Sequence, residues 1–208
     1  MAVVFVTGSD TGVGKTHVAG LLARRLARDG FTQVIKPVES GAGHGRPSDA
    51  PKAAGKWAEP HTLISLPRPI APLAAAKQAR KKVDLATLLK LYRALPPAPC
   101  RVVEGAGGVA VPLDPSGKDW ADFAAALRPT VAVVVVADRL GAINQSRLAI
   151  AYLRRRYDGP VGVWLNAPKK PSKEVAASNR AGLAAAGIPL LGESGRGPKS
   201  VRFHFLPR

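Results

Sequence analysis

Acidic residues, cysteine and long apolar runs are all scarce in this chain. Cys100 is its only cysteine, so no intrachain disulfide can form and nothing argues for an oxidising compartment. The longest apolar run, Val131 to Ala137, is too short to cross a bilayer and suits a buried strand. The first residues, MAVVFVTGSD, carry no basic segment and soon turn polar, so neither a signal peptide nor a membrane span is expected there. A cytoplasmic protein is the default. Internal repeats and a domain linker are missing too. The 208 residues therefore read as one domain, 1–208, long enough to bury a substantial core.

The shortage of acid leaves 31 Lys and Arg against 14 Asp and Glu, a formal net charge of +17. Such an excess attracts polyanions, nucleic acid or an acidic membrane surface among them. The basic residues are nevertheless scattered. Only Lys77–Lys82 and Arg154–Arg156 form runs, and runs of this kind are ordinarily solvated helix faces. Anionic substrates give the charge a second outlet. Binding to nucleic acid or membrane is not expected.

What is present is an alternation of strand-like and helix-like segments, the mark of an α/β fold with a parallel sheet. Strands are expected at Ala2–Thr7, Thr32–Lys36, Arg101–Glu104, Thr130–Ala137, Val161–Leu165 and Pro189–Leu191. Helices are expected at Lys15–Arg28, at Ala142–Tyr157, at Lys173–Ala186 and after Asp84, a plausible N-cap for Leu85, Leu88, Leu89 and Tyr92 on one face. Between Pro37 and Pro72 the chain reads mostly as loop, with one short helix near Asp49. A loop that long is usually functional. After Gly192 no pattern emerges.

The strongest feature is Gly8-Ser9-Asp10-Thr11-Gly12-Val13-Gly14-Lys15-Thr16, set between a strand and a helix. Backbone N–H groups of such a loop point at an anion, Lys15 adds a point charge, and Thr16 offers a hydroxyl to Mg²⁺. The match to G-x-x-x-x-G-K-[ST] is imperfect: Gly8 lies one residue early and Ser9 takes the first glycine's place. Two further strand ends narrow the chemistry. Lys36-Pro37-Val38-Glu39-Ser40-Gly41 leaves the second strand, and Glu104-Gly105-Ala106-Gly107-Gly108 leaves another, at the rim where open α/β sheets bind ligands. Asp49 sits in the long loop. Singly, Lys36, Glu104 and Asp49 read as a surface lysine, a strand-end ion pair and an N-cap. Together on one rim, a hydroxyl and two carboxylates suit Mg²⁺, which takes few protein oxygens besides phosphate and water.

VTGSDTGVGKT, KPVESG and VEGAGGVAVPL, in this order and at these intervals, resemble the dethiobiotin synthetase family. That family's phosphate loop carries the same extra residue. Leu140-Gly141-Ala142-Ile143-Asn144 and Asn166 resemble family positions as well. The resemblance implies a P-loop NTPase fold, a mostly parallel sheet of about seven strands flanked by helices. It also implies conversion of 7,8-diaminononanoate, CO₂ (or bicarbonate) and ATP into dethiobiotin, ADP and phosphate, with Mg²⁺, in biotin biosynthesis. One amine captures CO₂, the carbamate oxygen attacks the γ-phosphate, and the second amine closes the ureido ring.

By the same resemblance Lys15, Lys36 and Thr11 are catalytic. Gly8, Ser9, Asp10, Thr11, Gly12, Val13, Gly14, Lys15, Thr16 and His17, with Asp49, Glu104, Asn166 and Ala167, meet the nucleotide. Lys36 and Ser40, the run Gly105, Ala106, Gly107 and Gly108, and Ala142, Ile143 and Asn144 meet the substrate, the last three from the partner of a homodimer. Thr16, Asp49 and Glu104 hold Mg²⁺. Base contacts from the tail beyond Glu193 are a further expectation. Gly12 departs from relatives with an acidic residue there.

Two other families remain as alternatives. A ParA/MinD-type ATPase switch would suit the charge, but its early P-loop lysine is replaced here by Ser9 and Asp10. A cobalamin-pathway amidotransferase-like synthetase domain would need a glutaminase cysteine, and Cys100, between Pro99 and Arg101, is a poor nucleophile.

Overall fold

The computed structural model describes residues 1–43, 48–195 and 201–204. Fifteen elements follow in order: β1 Ala2–Gly8, α1 Lys15–Leu26, β2 Thr32–Ser40, α2 Asp49–Ala54, β3 Glu59–Leu66, α3 Pro72–Ala79, α4 Leu85–Arg93, β4 Cys100–Glu104, α5 Trp120–Leu127, β5 Val131–Ala137, α6 Ala142–Arg154, β6 Val161–Asn166, α7 Lys173–Ala185, β7 Leu190–Ser194 and β8 Arg202–Phe203. The strands form one sheet in the order β3-β2-β4-β1-β5-β6-β7-β8. Every pairing is parallel except β7 with β8.

Helices on both faces explain the sequence of the central strands. In β5, Ala132, Val134 and Val136 join the core beneath α3 to α7, while Val131, Val133 and Val135 join the core beneath α1 and α2. A strand buried on both sides needs no polar alternation, and Val131–Ala137 has none. Phe5 of β1 packs with Trp120 and Phe123 of α5, ring centroids 6.3 and 5.8 Å away.

The expected elements are present, with corrections at the edges. The stretch 37–72 is not mostly loop: β2 continues to Ser40, and β3 is an added strand, which with β8 brings the six strands expected to eight. β3 escapes sequence reading because it is an edge strand with Pro60 near its start, and only Ile64 and Leu66 are buried. Two helices were also not anticipated. α3 begins with proline and is mostly small residues. α5 starts from a capping box between Asp119 and Asp122. After Gly192 the chain does have a pattern, since β7 reaches Ser194 and β8 returns antiparallel to it. The rest of the predicted tail contact, 196–200, lies outside the described residues.

Candidate active site

Three neighbouring strands, β2, β4 and β1, deliver their C-terminal ends to one rim. From β1 the chain turns through Gly8–Gly14 into α1. Gly12 and Gly14 have φ of +76° and +96°, conformations that glycine tolerates and other residues resist. A Cβ at Gly14 would also collide with the Asn166 amide. Lys15 folds back over the loop, its Nζ donating to the Asp10 carbonyl at 2.8 Å. No side chain caps α1, and no acid stands in its first turn, so the helix start keeps its donors for an anion.

The loop is fastened from both sides. The Val109 N–H donates to the Gly8 carbonyl at 2.9 Å and the Ser9 N–H to the Val135 carbonyl at 3.0 Å. Asn166, at the end of β6, donates from Nδ2 to the Val13 carbonyl at 2.8 Å. Its Oδ1 accepts from Ser194 Oγ at 2.8 Å, and Ser194 accepts in turn from Trp164 Nε1 at 2.9 Å. The structure therefore gives the Asn166 side chain a visible task, holding the phosphate loop. Ala167 lines a separate cleft of about 330 Å³ with Asp138, Lys170, Arg180 and Glu193, at the ends of β5, β6 and β7.

The charged centre lies between α1 and β2. Lys36 Nζ sits 2.7 Å from Glu104 Oε1 and 2.9 Å from Asp49 Oδ2. It also donates to the Gly105 carbonyl at 3.3 Å. Thr16 Oγ1 donates to the same Glu104 Oε1 at 2.8 Å. The three residues expected to hold a metal thus converge around one ammonium. Only 4% of the Lys36 side chain and 1% of the Glu104 side chain are exposed, so these charges are poorly screened.

Burial alone would lower the Lys36 pKa, but Glu104 and Asp49 outweigh it and hold the ammonium above its ordinary value. Burial pushes the Glu104 carboxyl up, opposed chiefly by Lys36. Lys15 goes the other way. Burial first, and the Lys36 charge second, bring it down to about 8. Two lysines compressed under a glycine loop are arranged for phosphate.

These groups line a cleft of about 940 Å³ together with Thr11, His17, Ser40, Ala106 and Gly107. Gly105 and Gly108 do not line it; they let the β4 loop lie close, Gly105 against the Trp120 ring and Gly108 against the Ser9 carbonyl. Ala142, Ile143 and Asn144 line neither cleft. They open α6, which also starts at a left-handed glycine, Gly141, without a side-chain cap. Asn144 is exposed. Sequence reading missed the apolar wall of the main cleft, Pro69, Ile70 and Val111. It also missed Glu39, whose carboxylate receives the Asp49 N–H. Val111 and Glu39 both stand inside the quoted motifs, yet nothing local reveals their contacts.

A divalent cation fits this donor set. Glu104 Oε2 is buried and has no hydrogen-bond partner among the described residues, a free lone pair beside the Thr16 hydroxyl. Among the described residues no group of three or more His, Cys, Asp or Glu side chains could hold a metal ion by itself. The protein's share of the coordination is small, as Mg²⁺ with phosphate requires.

Comparison with known proteins agrees with this geometry. Residues 2–196 match the sequence family described as an AAA domain. In solved structures, a plasmid partition protein from Borrelia burgdorferi superposes with a TM-score of 0.58 over 94% of this chain and 90% of its own, at 12% identity. The septum site-determining protein MinD from Pyrococcus horikoshii OT3, complexed with Mg-ADP, gives 0.54 over 95% and 82%, at 13% identity. At such identity the likeness is one of fold. Sequence relatives are nearer. The ATP-dependent dethiobiotin synthetase BioD of Anaeromyxobacter sp. (strain K) is 42% identical over 78% of this chain and 75% of its own. Its namesakes from Paramagnetospirillum magneticum and Mycobacterium tuberculosis (strain ATCC 25177 / H37Ra) are 34% and 35% identical, over 86% and 88% of this chain and 83% of each relative. Fold, phosphate loop and overall sequence thus agree, and the chain belongs to the dethiobiotin synthetase family.

Proposed function

We propose that the chain, acting as one ligase domain over 1–208, is an ATP-dependent dethiobiotin synthetase of biotin biosynthesis, joining 7,8-diaminononanoate and CO₂ into the cyclic urea. The observation that carries this reading is the Lys36 ammonium, 2.7 and 2.9 Å from Glu104 and Asp49, in a cleft floored by the phosphate loop. Acyl phosphate chemistry asks for cations around converging anions, because phosphoryl transfer is mostly positioning and charge stabilisation.

The roles follow from position. The N–H groups of Gly12 to Thr16 and the Lys15 ammonium hold the β- and γ-phosphates. Lys36, four positions before Ser40 on the same strand and lining the same cleft, stands where carbamate and γ-phosphate meet. One substrate amine forms a bond to CO₂ and loses a proton. A carbamate oxygen then attacks phosphorus and the bond to ADP breaks. The second amine attacks the carbamoyl carbon and phosphate leaves. Ser40, whose Oγ is buried without a partner among the described residues, and Thr11 orient the amines and oxygens. Mg²⁺ bound by Thr16, Asp49 and Glu104 supplies further charge neutralisation at the phosphates. Pro69, Ile70 and Val111 give the diamine's methylene chain an apolar wall, and the smaller cleft takes the base.

The substrate's distal carboxylate goes to the start of α6 in a second copy of the chain, where uncapped N–H groups suit an anion. Two leucines of that region, Leu140 and Leu148, are 83% and 64% exposed, which supports a homodimer through this surface. No helix of the described residues is long and apolar enough to cross a membrane, and the place of action is the cytoplasm. The test is phosphate release from ATP. Release is expected only when diaminononanoate and bicarbonate are supplied together. Stimulation by DNA or lipid vesicles instead would return the ParA/MinD-type reading.

A further inference from the structure

Three residues beyond Lys36, β2 carries a second buried charge of opposite sign. Glu39 is only 7% exposed, and among the described residues it makes no ion pair. Its two oxygens are both spoken for by the start of α2. Oε1 accepts the Asp49 N–H at 2.7 Å, and Oε2 accepts the Ser48 hydroxyl. Ser48 is the N-cap of α2, yet its hydroxyl makes no cap bond to its own helix. A carboxylate from a neighbouring strand does the capping in its place.

This arrangement matters because of what Asp49 does with its other end. Its backbone is tied to Glu39 while its carboxylate reaches Lys36 Nζ at 2.9 Å. α2 has six residues, too few to hold its own conformation, so its place depends on its anchors. A buried carboxylate is tolerated only where strong hydrogen bonds satisfy it. Here those bonds all go to Ser48 and Asp49. Glu39 itself is neither ligand nor base, since both oxygens face donors of α2.

We propose that Glu39 is a positioning residue for the divalent-cation site, locking Ser48 and Asp49 so that the Asp49 carboxylate stands beside Glu104. The proposal rests on Asp49 being a metal ligand, as read above. Partners that orient a ligand typically contribute about 10–100-fold to metal affinity.

The test uses Mn²⁺ as probe with a non-hydrolysable ATP analogue, bound metal being read by electron paramagnetic resonance after a thermal melt confirms folding. Glu39→Ala is expected to weaken Mn²⁺ binding by about 10–100-fold. Glu39→Gln should retain most of the affinity, because its amide keeps an acceptor for the Asp49 N–H and a donor for Ser48 Oγ. In an Asp49→Ala background, Glu39→Ala should add no further loss. Wild-type affinity in Glu39→Ala, or an undiminished loss in the Asp49→Ala background, overturns the proposal. If Asp49→Ala alone leaves Mn²⁺ affinity unchanged, it is the parent reading that fails. Should Glu39→Ala not fold, Glu39→Asp, which keeps the charge but withdraws the oxygens, takes its place. Asp must then lose more than Gln, and the reverse order overturns the proposal.

Discussion

Helices α1 and α4 begin in opposite ways. α4 starts at Asp84, whose carboxylate accepts the Thr87 N–H at 2.7 Å, so the helix satisfies its own first turn. α1 starts at a left-handed glycine with no side-chain cap, no acid in its first turn and two buried lysines beneath it. By the rules of helix stability the second start is poor. Its unclaimed N–H groups and the Lys15 ammonium, which makes no ion pair among the described residues, are what a polyphosphate completes. One start is built for the fold and the other for a ligand.

The hardest blow to that contrast falls on Lys36. If the α1 end supplies binding and Lys36 supplies reaction, Lys36→Gln should cut turnover by about 10²–10³-fold, the usual loss when one group is taken from developing charge. ATP-analogue affinity, which rests on Gly12 to Thr16, should survive. Steady-state turnover and calorimetric titration give the two numbers. An equal fall in both would mean that Lys36 belongs to the phosphate cradle, and unchanged turnover would remove it from the reaction.

A smaller effect is expected from Gly14→Ala, which asks whether the glycine start is required. At φ of +96° a side chain brings strain of about 1–3 kcal/mol, and its Cβ meets the Asn166 amide. The variant should lose about 2 kcal/mol of stability and bind nucleotide poorly. Adding Asn166→Ala removes the collision but not the strain, and it also releases the Val13 carbonyl, so rescue should be partial at best. Denaturant melts and nucleotide titration read the outcome. A tolerant Gly14→Ala would show that the loop does not depend on its backbone angles.

How much of this was legible in the sequence depends on how far apart the cooperating residues stand. The phosphate loop is contiguous, so Gly12, Gly14, Lys15 and Thr16 announce it together. Lys36 and Glu104 are separated by 68 positions yet were found, because Glu104 ends β4 and Lys36 follows Ile35, which pairs with Val103 on the neighbouring parallel strand. The capping of α4 was legible too, an Asp just ahead of an amphipathic stretch. Glu39 was not, since its partners Ser48 and Asp49 stand nine and ten positions away and no local pattern links them. Asn166 was placed near the nucleotide, but its hold on the Val13 carbonyl depends on how β6 packs beside the loop. β3 was lost because an edge strand with a proline and one buried side has too little apolar pattern to read. Contacts made by neighbours in sequence, or by strand ends, were visible; contacts made by packing were not.

The gentlest test is at the other start. Asp84→Ala should lower stability by about 1 kcal/mol at neutral pH, the ordinary cost of losing a cap, and should leave turnover unchanged because α4 takes no part in the cleft. The loss should also depend on pH in a definite direction. The Thr87 N–H holds the Asp84 carboxyl below its usual value of 3.8, so the folded state favours the ionised form. That stabilisation is fully present above 3.8 and disappears as pH falls through the lower folded value. Melts of wild type and Asp84→Ala should therefore differ at pH 7 and converge as the solution is acidified below 3.8. A difference that persists in acid would mean that Asp84 acts by packing rather than as a charged cap. A fall in turnover at pH 7 would mean that α4 and α1 are not the separate kinds of helix start that their capping suggests.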